Sequence, residues 1–239
     1  MTIDTTTTDL LEAPARAPRT RRRLAALVLV TVGVGALTAP IADAAPAAPV
    51  SLAPAPVSAE GRARVADPIA DLAFVALGSL DRYIETGDAD ELASYERQRD
   101  IIADAAAARL GIDAGRLRTA WAAADTEHQQ ALMGGLTQLG VPYRRNTSKP
   151  GVSFDCSGFT TYAWSHAGLN LARQSTAQIR AAAPRTKETA QAGDLVQYSG
   201  HVMMWLGVDN TIVHAIGSGR TVELDTTSRR SLKWGDPTG

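Results

Sequence analysis

The chain has one cysteine in 239 residues. A single thiol excludes an internal disulfide and any zinc site built from several cysteines. Aromatic residues make up only 5% of the sequence, and the formal net charge is −1. This near-neutral balance gives no basis for nucleic acid as a partner. Beyond residue 44 no apolar run is long enough to span a bilayer. What is present is a 45% hydrophobic share, enough to bury one moderate domain and a smaller accessory part.

The first 44 residues read as an export signal. Arg19 and Arg21 to Arg23 supply a positive start, Leu24 to Ala42 is uncharged and mostly apolar, and Ala42-Asp43-Ala44 offers a small-x-small cleavage site. The run of arginines also loosely fits a twin-arginine signal. An uncleaved anchor is the alternative, against which the glycines, Pro40 and the cleavage site weigh. With cleavage, no stable membrane span remains, and the expected location is outside the membrane, secreted.

Residues 45–65 are rich in Ala and Pro and read as a linker. Residues 66–125 read as a helical accessory segment. Asp67-Pro68 pairs an N-cap with proline at the first helical position, and Gly87 closes the element. A second helix is expected from about Asp90 to Leu110, and a third after Asp113. Thr126-Glu127-His128-Gln129 has the form of a capping box opening a fourth helix to Leu139. Residues 126–239 read as the main domain. There, a helix from Cys156 to Ala167 precedes short β-type runs at Asp194 to Tyr198, Val202 to Leu206, Thr211 to Ile216 and Thr221 to Leu224. One helix followed by an antiparallel meander implies an α+β fold.

The chemistry centres on Cys156. A free thiol with a pKa of about 8.5 is mostly protonated at neutral pH, and both an imidazole partner and a helix N-terminus favour the thiolate. Asp155 reads as the N-cap, so Cys156 falls in the first turn, where free backbone N–H groups converge. His201 starts a strand after the Ser199-Gly200 turn, and His214 lies on the next strand. That neighbour could hold the first imidazole in the correct tautomer, as a third catalytic group. Cys156, His201 and His214 could also form a three-ligand zinc site; thiolate activation explains the Asp-Cys-Ser-Gly helix start better. His128 and His166 are expected at the surface or boundary of helices, and Met203, Met204 and Trp205 in a strand core.

Six ordered elements carry a resemblance. Pro142-Tyr143, Asp155-Cys156-Ser157-Gly158-Phe159, Leu171-Ala172-Arg173-Gln174-Ser175, Gly193-Asp194-Leu195-Val196, His201-Val202 and Val213-His214-Ala215 resemble, in order and spacing, the NlpC/P60 cysteine peptidases. The resemblance runs from about Glu127 to Arg230. It implies a papain-like α+β domain with the cysteine at a helix start against an antiparallel sheet. It implies hydrolysis of bacterial peptidoglycan stem peptides, usually between γ-D-glutamate and diaminopimelate, by a peptidase needing no cofactor and no metal. By position it implies Cys156 as nucleophile, His201 as base and His214 as orienting group. Tyr143 matches a tyrosine near the pocket, and Asp155 and Ser157 flank the nucleophile in the substrate site. Arg173 and Ser175 stand equally as turn residues or substrate-site residues. The chain departs from the pattern at Arg144-Arg145-Asn146-Thr147, where Trp or Arg and paired glycines are common, and at Ala172, where proline is usual.

Two other functions fit parts of the pattern: a CHAP-like N-acetylmuramoyl-L-alanine amidase, and a wall-binding module with a weak or silent site. The helical segment 66–125 is open between a packing scaffold, a partner-binding element and a cover over the cleft in intramolecular contact with the main domain.

Overall fold

A computed structural model describes residues 63–239; the expected export signal and nearly all of the linker lie outside the described residues. Four helices come first: α1 (Pro68–Thr86), α2 (Ala89–Leu110), α3 (Ala114–Ala123) and α4 (Thr126–Leu136). Each begins at an aspartate whose carboxylate accepts a hydrogen bond from a first-turn N–H: Asp67, Asp88, Asp113 and Asp125. The fourth start differs from the capping box expected at Thr126, because Asp125 one residue earlier takes the His128 N–H at 2.9 Å. Gly87 and Gly111 end α1 and α2 in the left-handed conformation, with φ of 73° and 68°.

After α4 come β1 (Ser148–Lys149) and β2 (Ser153–Phe154), a two-residue pairing, and then α5 (Cys156–Ser165) and α6 (Ser175–Ala181). The strands β3 (Ala183–Arg185), β4 (Leu195–Tyr198), β5 (His201–Trp205), β6 (Thr211–Ala215), β7 (Val222–Thr226) and β8 (Lys233–Asp236) form one antiparallel sheet in the order β3-β8-β4-β5-β6-β7. This is the α+β architecture expected. The two-residue period of a strand sends alternate side chains to opposite faces. Leu195, Val202, Met204 and Val213 join the larger core with the helices, while Val196, Met203, Trp205 and Ile212 form a smaller cluster with Trp234.

The helices of residues 68–123 share that larger core with the sheet. Trp121 is fully buried, and its indole N–H donates to the Leu206 carbonyl at 2.8 Å. Helix α4 packs on α1 and α5. Its Gly134 permits the close approach: a Cβ there would lie 2.3 Å from His166 Cδ2. No helix among the described residues is long and apolar enough to cross a membrane.

Candidate active site

Asp155 caps α5 as its sequence implied. Its backbone is extended (φ −95°, ψ 178°), and Oδ1 accepts the Gly158 N–H at 2.8 Å. Cys156 is thereby the first helical residue, half-buried, where the helix start leaves backbone N–H groups without intrahelical acceptors. Gly158 is required here because a Cβ would sit 2.2 Å from the Thr147 carbonyl oxygen. The helix can therefore lie against the 144–148 loop, which forms the facing wall.

The thiol borders a cleft of 520 Å³ whose lining includes Tyr143, Asp155, Cys156, Ser157, Arg173 and Ser175. Arg145 and Asn146, from the loop that departs from the resembled pattern, also line it, as does Gly200 next to His201. No residue of α1 to α4 is among the lining residues. Arg173 stitches the cysteine's two neighbours together. Its guanidinium donates to Asp155 Oδ2 at 2.7 Å and to Ser157 Oγ at 2.9 Å. The Asp155 carboxylate thus caps the helix with one oxygen and is compensated on the other, so less of its negative charge opposes a thiolate beside it. Burial, then Cys156 and Asp155, push the Tyr143 phenol up, which keeps it a protonated donor.

His201 and His214 are buried. Strands β5 and β6 bring them together: His201 Nε2 lies 2.9 Å from His214 Nδ1, with the rings edge to face at 73°. Burial lowers the His201 pKa to about 4, aided by His214 and Arg229. Burial likewise lowers His214 to about 4, against the opposing pull of Asp225. Both rings are neutral at pH 7, so one nitrogen of the contact carries the proton and the other the lone pair. Among the described residues, neither histidine is hydrogen-bonded to the Cys156 sulfur. Helix α5 packs directly on β5 and β6, and such contacts commonly close only when substrate binds.

His128 overturns its expected position at the surface or boundary of its helix. It is fully buried, with Nδ1 2.6 Å from Asp125 and Nε2 3.0 Å from Asp194 and 3.5 Å from Asp236. Three carboxylates surround one imidazole, an arrangement that helix periodicity alone did not disclose. Burial opposes its charge, but Asp194 and Asp125 outweigh burial and the pKa is raised. His166 is at the boundary, as expected, and Met203, Met204 and Trp205 are strand core. Among the described residues, two groups of metal-capable side chains have ligand atoms within 4.8 Å of one another, His128–Asp194–Asp236 and His214–Glu223–Asp225. Cys156 belongs to neither, so the zinc trio of Cys156, His201 and His214 is not gathered as ligands.

Residues 140–234 match the NlpC/P60 family. The chain carries an NlpC/P60 domain. This domain begins at the end of the turn after α4 and contains α5, α6 and most of the sheet. A probable endopeptidase of Corynebacterium glutamicum is 36% identical over 110 residues, 45% of this chain and 51% of that protein. A gamma-D-glutamyl-L-lysine dipeptidyl-peptidase of Bacillus cereus is 36% identical over 95 residues, 36% of this chain and 28% of that protein. The chain thus spans about half the length of the first of these relatives, and less of the second. The solved P60 domain of a Mycobacterium avium subspecies paratuberculosis antigen superposes with a TM-score of 0.42 at 26% identity, over 47% of this chain and 95% of that one. The NlpC/P60 match ends short of the last residues of β8, which carry Asp236.

Proposed function

We propose that this protein is an exported cysteine peptidase that hydrolyses stem peptides of bacterial peptidoglycan, at the bond between γ-D-glutamate and diaminopimelate. The observation that carries the reading is the chain's lone thiol, set at the start of α5 on an open cleft, with a hydrogen-bonded pair of neutral imidazoles on the adjoining strands. The relatives named as a probable endopeptidase and as a gamma-D-glutamyl-L-lysine dipeptidyl-peptidase support it.

In this mechanism the peptide lies in the cleft with its scissile carbonyl over Cys156. His201 is neutral and accepts the thiol proton as the sulfur attacks. Backbone N–H groups at the start of α5 and the Tyr143 hydroxyl stabilise the oxyanion. His214 holds the His201 ring through the 2.9 Å contact and shares the imidazolium charge. His201 then gives its proton to the departing amine and, in the second half, takes one from the water that releases the acyl-enzyme. Arg173, Asp155, Ser157 and Ser175 shape the polar side of the cleft that receives the anionic peptide.

The test is product analysis by mass spectrometry after incubating the protein with defined diaminopimelate muropeptides. Products cut between D-glutamate and diaminopimelate are expected. A cut at the lactyl-alanine amide would make it an amidase, and intact substrate bound without turnover would make it a wall-binding module.

A further inference from the structure

The 2.9 Å contact between His201 and His214 can be made in two ways. His201 Nε2–H can donate to the His214 Nδ1 lone pair, or His214 Nδ1–H can donate to the His201 Nε2 lone pair. Both keep the hydrogen bond, but only the first leaves His201 Nδ1 unprotonated and able to take a proton from a thiol. Something must break this degeneracy for the pair to serve Cys156.

The far nitrogen of the pair offers the means. His214 Nε2 is buried without a hydrogen-bond partner, and Asp225 Oδ2 lies 3.6 Å from it. Cross-strand register explains the approach. His214 on β6 stands opposite Glu223 on β7, and Asp225, two residues on, projects to the same face. The charged groups around the ring are Glu223, Asp225, Arg220 and, against His201, Arg229. Glu223 is engaged by Arg220, whose Nη2 lies 2.5 Å from its Oε1. Arg229 sits over the Tyr198 ring, 4.6 Å from its centroid. Asp225 Oδ1 accepts the Thr226 N–H at 2.7 Å. That leaves Asp225 Oδ2 as the carboxylate oxygen turned to the imidazole without an arginine on it.

We infer that Asp225 is a positioning residue that selects the base-competent tautomer of the pair by facing His214 Nε2. An ionised carboxylate has no proton to offer, so it favours N–H at the nitrogen it faces. Nε2–H on His214 puts the lone pair on its Nδ1. The short contact then requires the proton on His201 Nε2, and His201 Nδ1 is left free. When His201 gains the thiol proton, the same carboxylate favours the positive charge spread over both rings. The inference rests on the reading of Cys156, His201 and His214 as the reacting set.

The experiment has a readout apart from activity. Imidazole 1H–15N spectra of the folded protein at neutral pH should show both His201 and His214 protonated on Nε2. In Asp225→Ala, signals of the Nδ1–H forms should appear for both rings, whereas Asp225→Glu should keep the Nε2–H forms. On a muropeptide substrate, kcat should fall by about 10- to 100-fold in Asp225→Ala with little change in KM, and recover in part in Asp225→Glu. Unchanged tautomers in Asp225→Ala, or a loss confined to KM, would overturn the inference. If the unaltered protein cleaves no muropeptide, the functional reading fails, and the spectra alone decide the role of Asp225.

Discussion

His128 and His214 are comparably sealed from solvent, at 0% and 4% exposure, and each has a ring nitrogen at or within 3.0 Å of a partner. Their pKa values move in opposite directions. His128 meets Asp125, Asp194 and Asp236, and the carboxylates outweigh the cost of burial and raise its pKa. His214 meets another imidazole on one side and, on the other, Asp225 at 3.6 Å, just beyond hydrogen-bond distance, so burial prevails and the ring is neutral. Burial alone therefore does not assign a role to a histidine. The His128 cluster is electrostatically satisfied and joins the N-terminus of α4 to the residue before β4 and the last residue of β8. The His201–His214 pair is under-satisfied, and in the proposed mechanism it accepts and returns a proton, which is where a perturbed group is useful.

Substitutions should separate the two sites sharply. His201→Ala removes the proposed base and should lower kcat/KM by at least about a thousandfold. Far-ultraviolet circular dichroism should remain that of the folded protein. His128→Asn should do the reverse. It leaves buried carboxylates without their imidazole partner, and the expected loss of unfolding free energy is about 3–5 kcal/mol, read by denaturant titration. At temperatures where the variant stays folded, turnover should be close to normal. Arg173→Ala lies between these extremes. It frees Asp155 and Ser157 beside the thiol, and kcat/KM should fall by about tenfold, or 1.4 kcal/mol, with little change in stability.

The pH dependence of stability should oppose the two sites, with a smaller amplitude. The raised pKa of His128 means its stabilisation is complete below the unfolded value near 6.5 and is lost as pH rises through its folded value. His128→Asn should therefore cost more at pH 6 than at pH 9. His201 and His214, lowered to about 4, bind protons in the unfolded chain before the folded one. Stability should fall as pH drops from about 6.5 toward 4, and His214→Asn should flatten that decline. Denaturant midpoints across this range measure both slopes; parallel slopes for the two variants would erase the contrast.

The helix starts were legible because capping is local: Asp67, Asp113 and Asp155 each announce a helix within three residues of themselves. The cleft was legible through its ordered motifs, which named Tyr143, Asp155, Cys156, Ser157, Arg173 and Ser175 before their convergence could be seen. What could not be read depends on long-range pairing. The edge strand β3 exists because Ala183 to Arg185 pair with Trp234 to Asp236, too short a run to signal itself. His128 looked like a surface residue among Thr126, Glu127 and Gln129; its burial comes from Asp194 and Asp236, far along the chain. Asp225 was missed for a narrower reason. The expected strand stopped at Leu224, whereas β7 continues to Thr226, and alternation from Glu223 would have placed Asp225 on the His214 face.

The most direct test compares the unaltered protein with Cys156→Ala on a diaminopimelate muropeptide, measuring kcat/KM for both alongside their thermal unfolding. The account predicts cleavage by the first, none by the second, and matching unfolding curves. Hydrolysis by Cys156→Ala at the unaltered rate would contradict it.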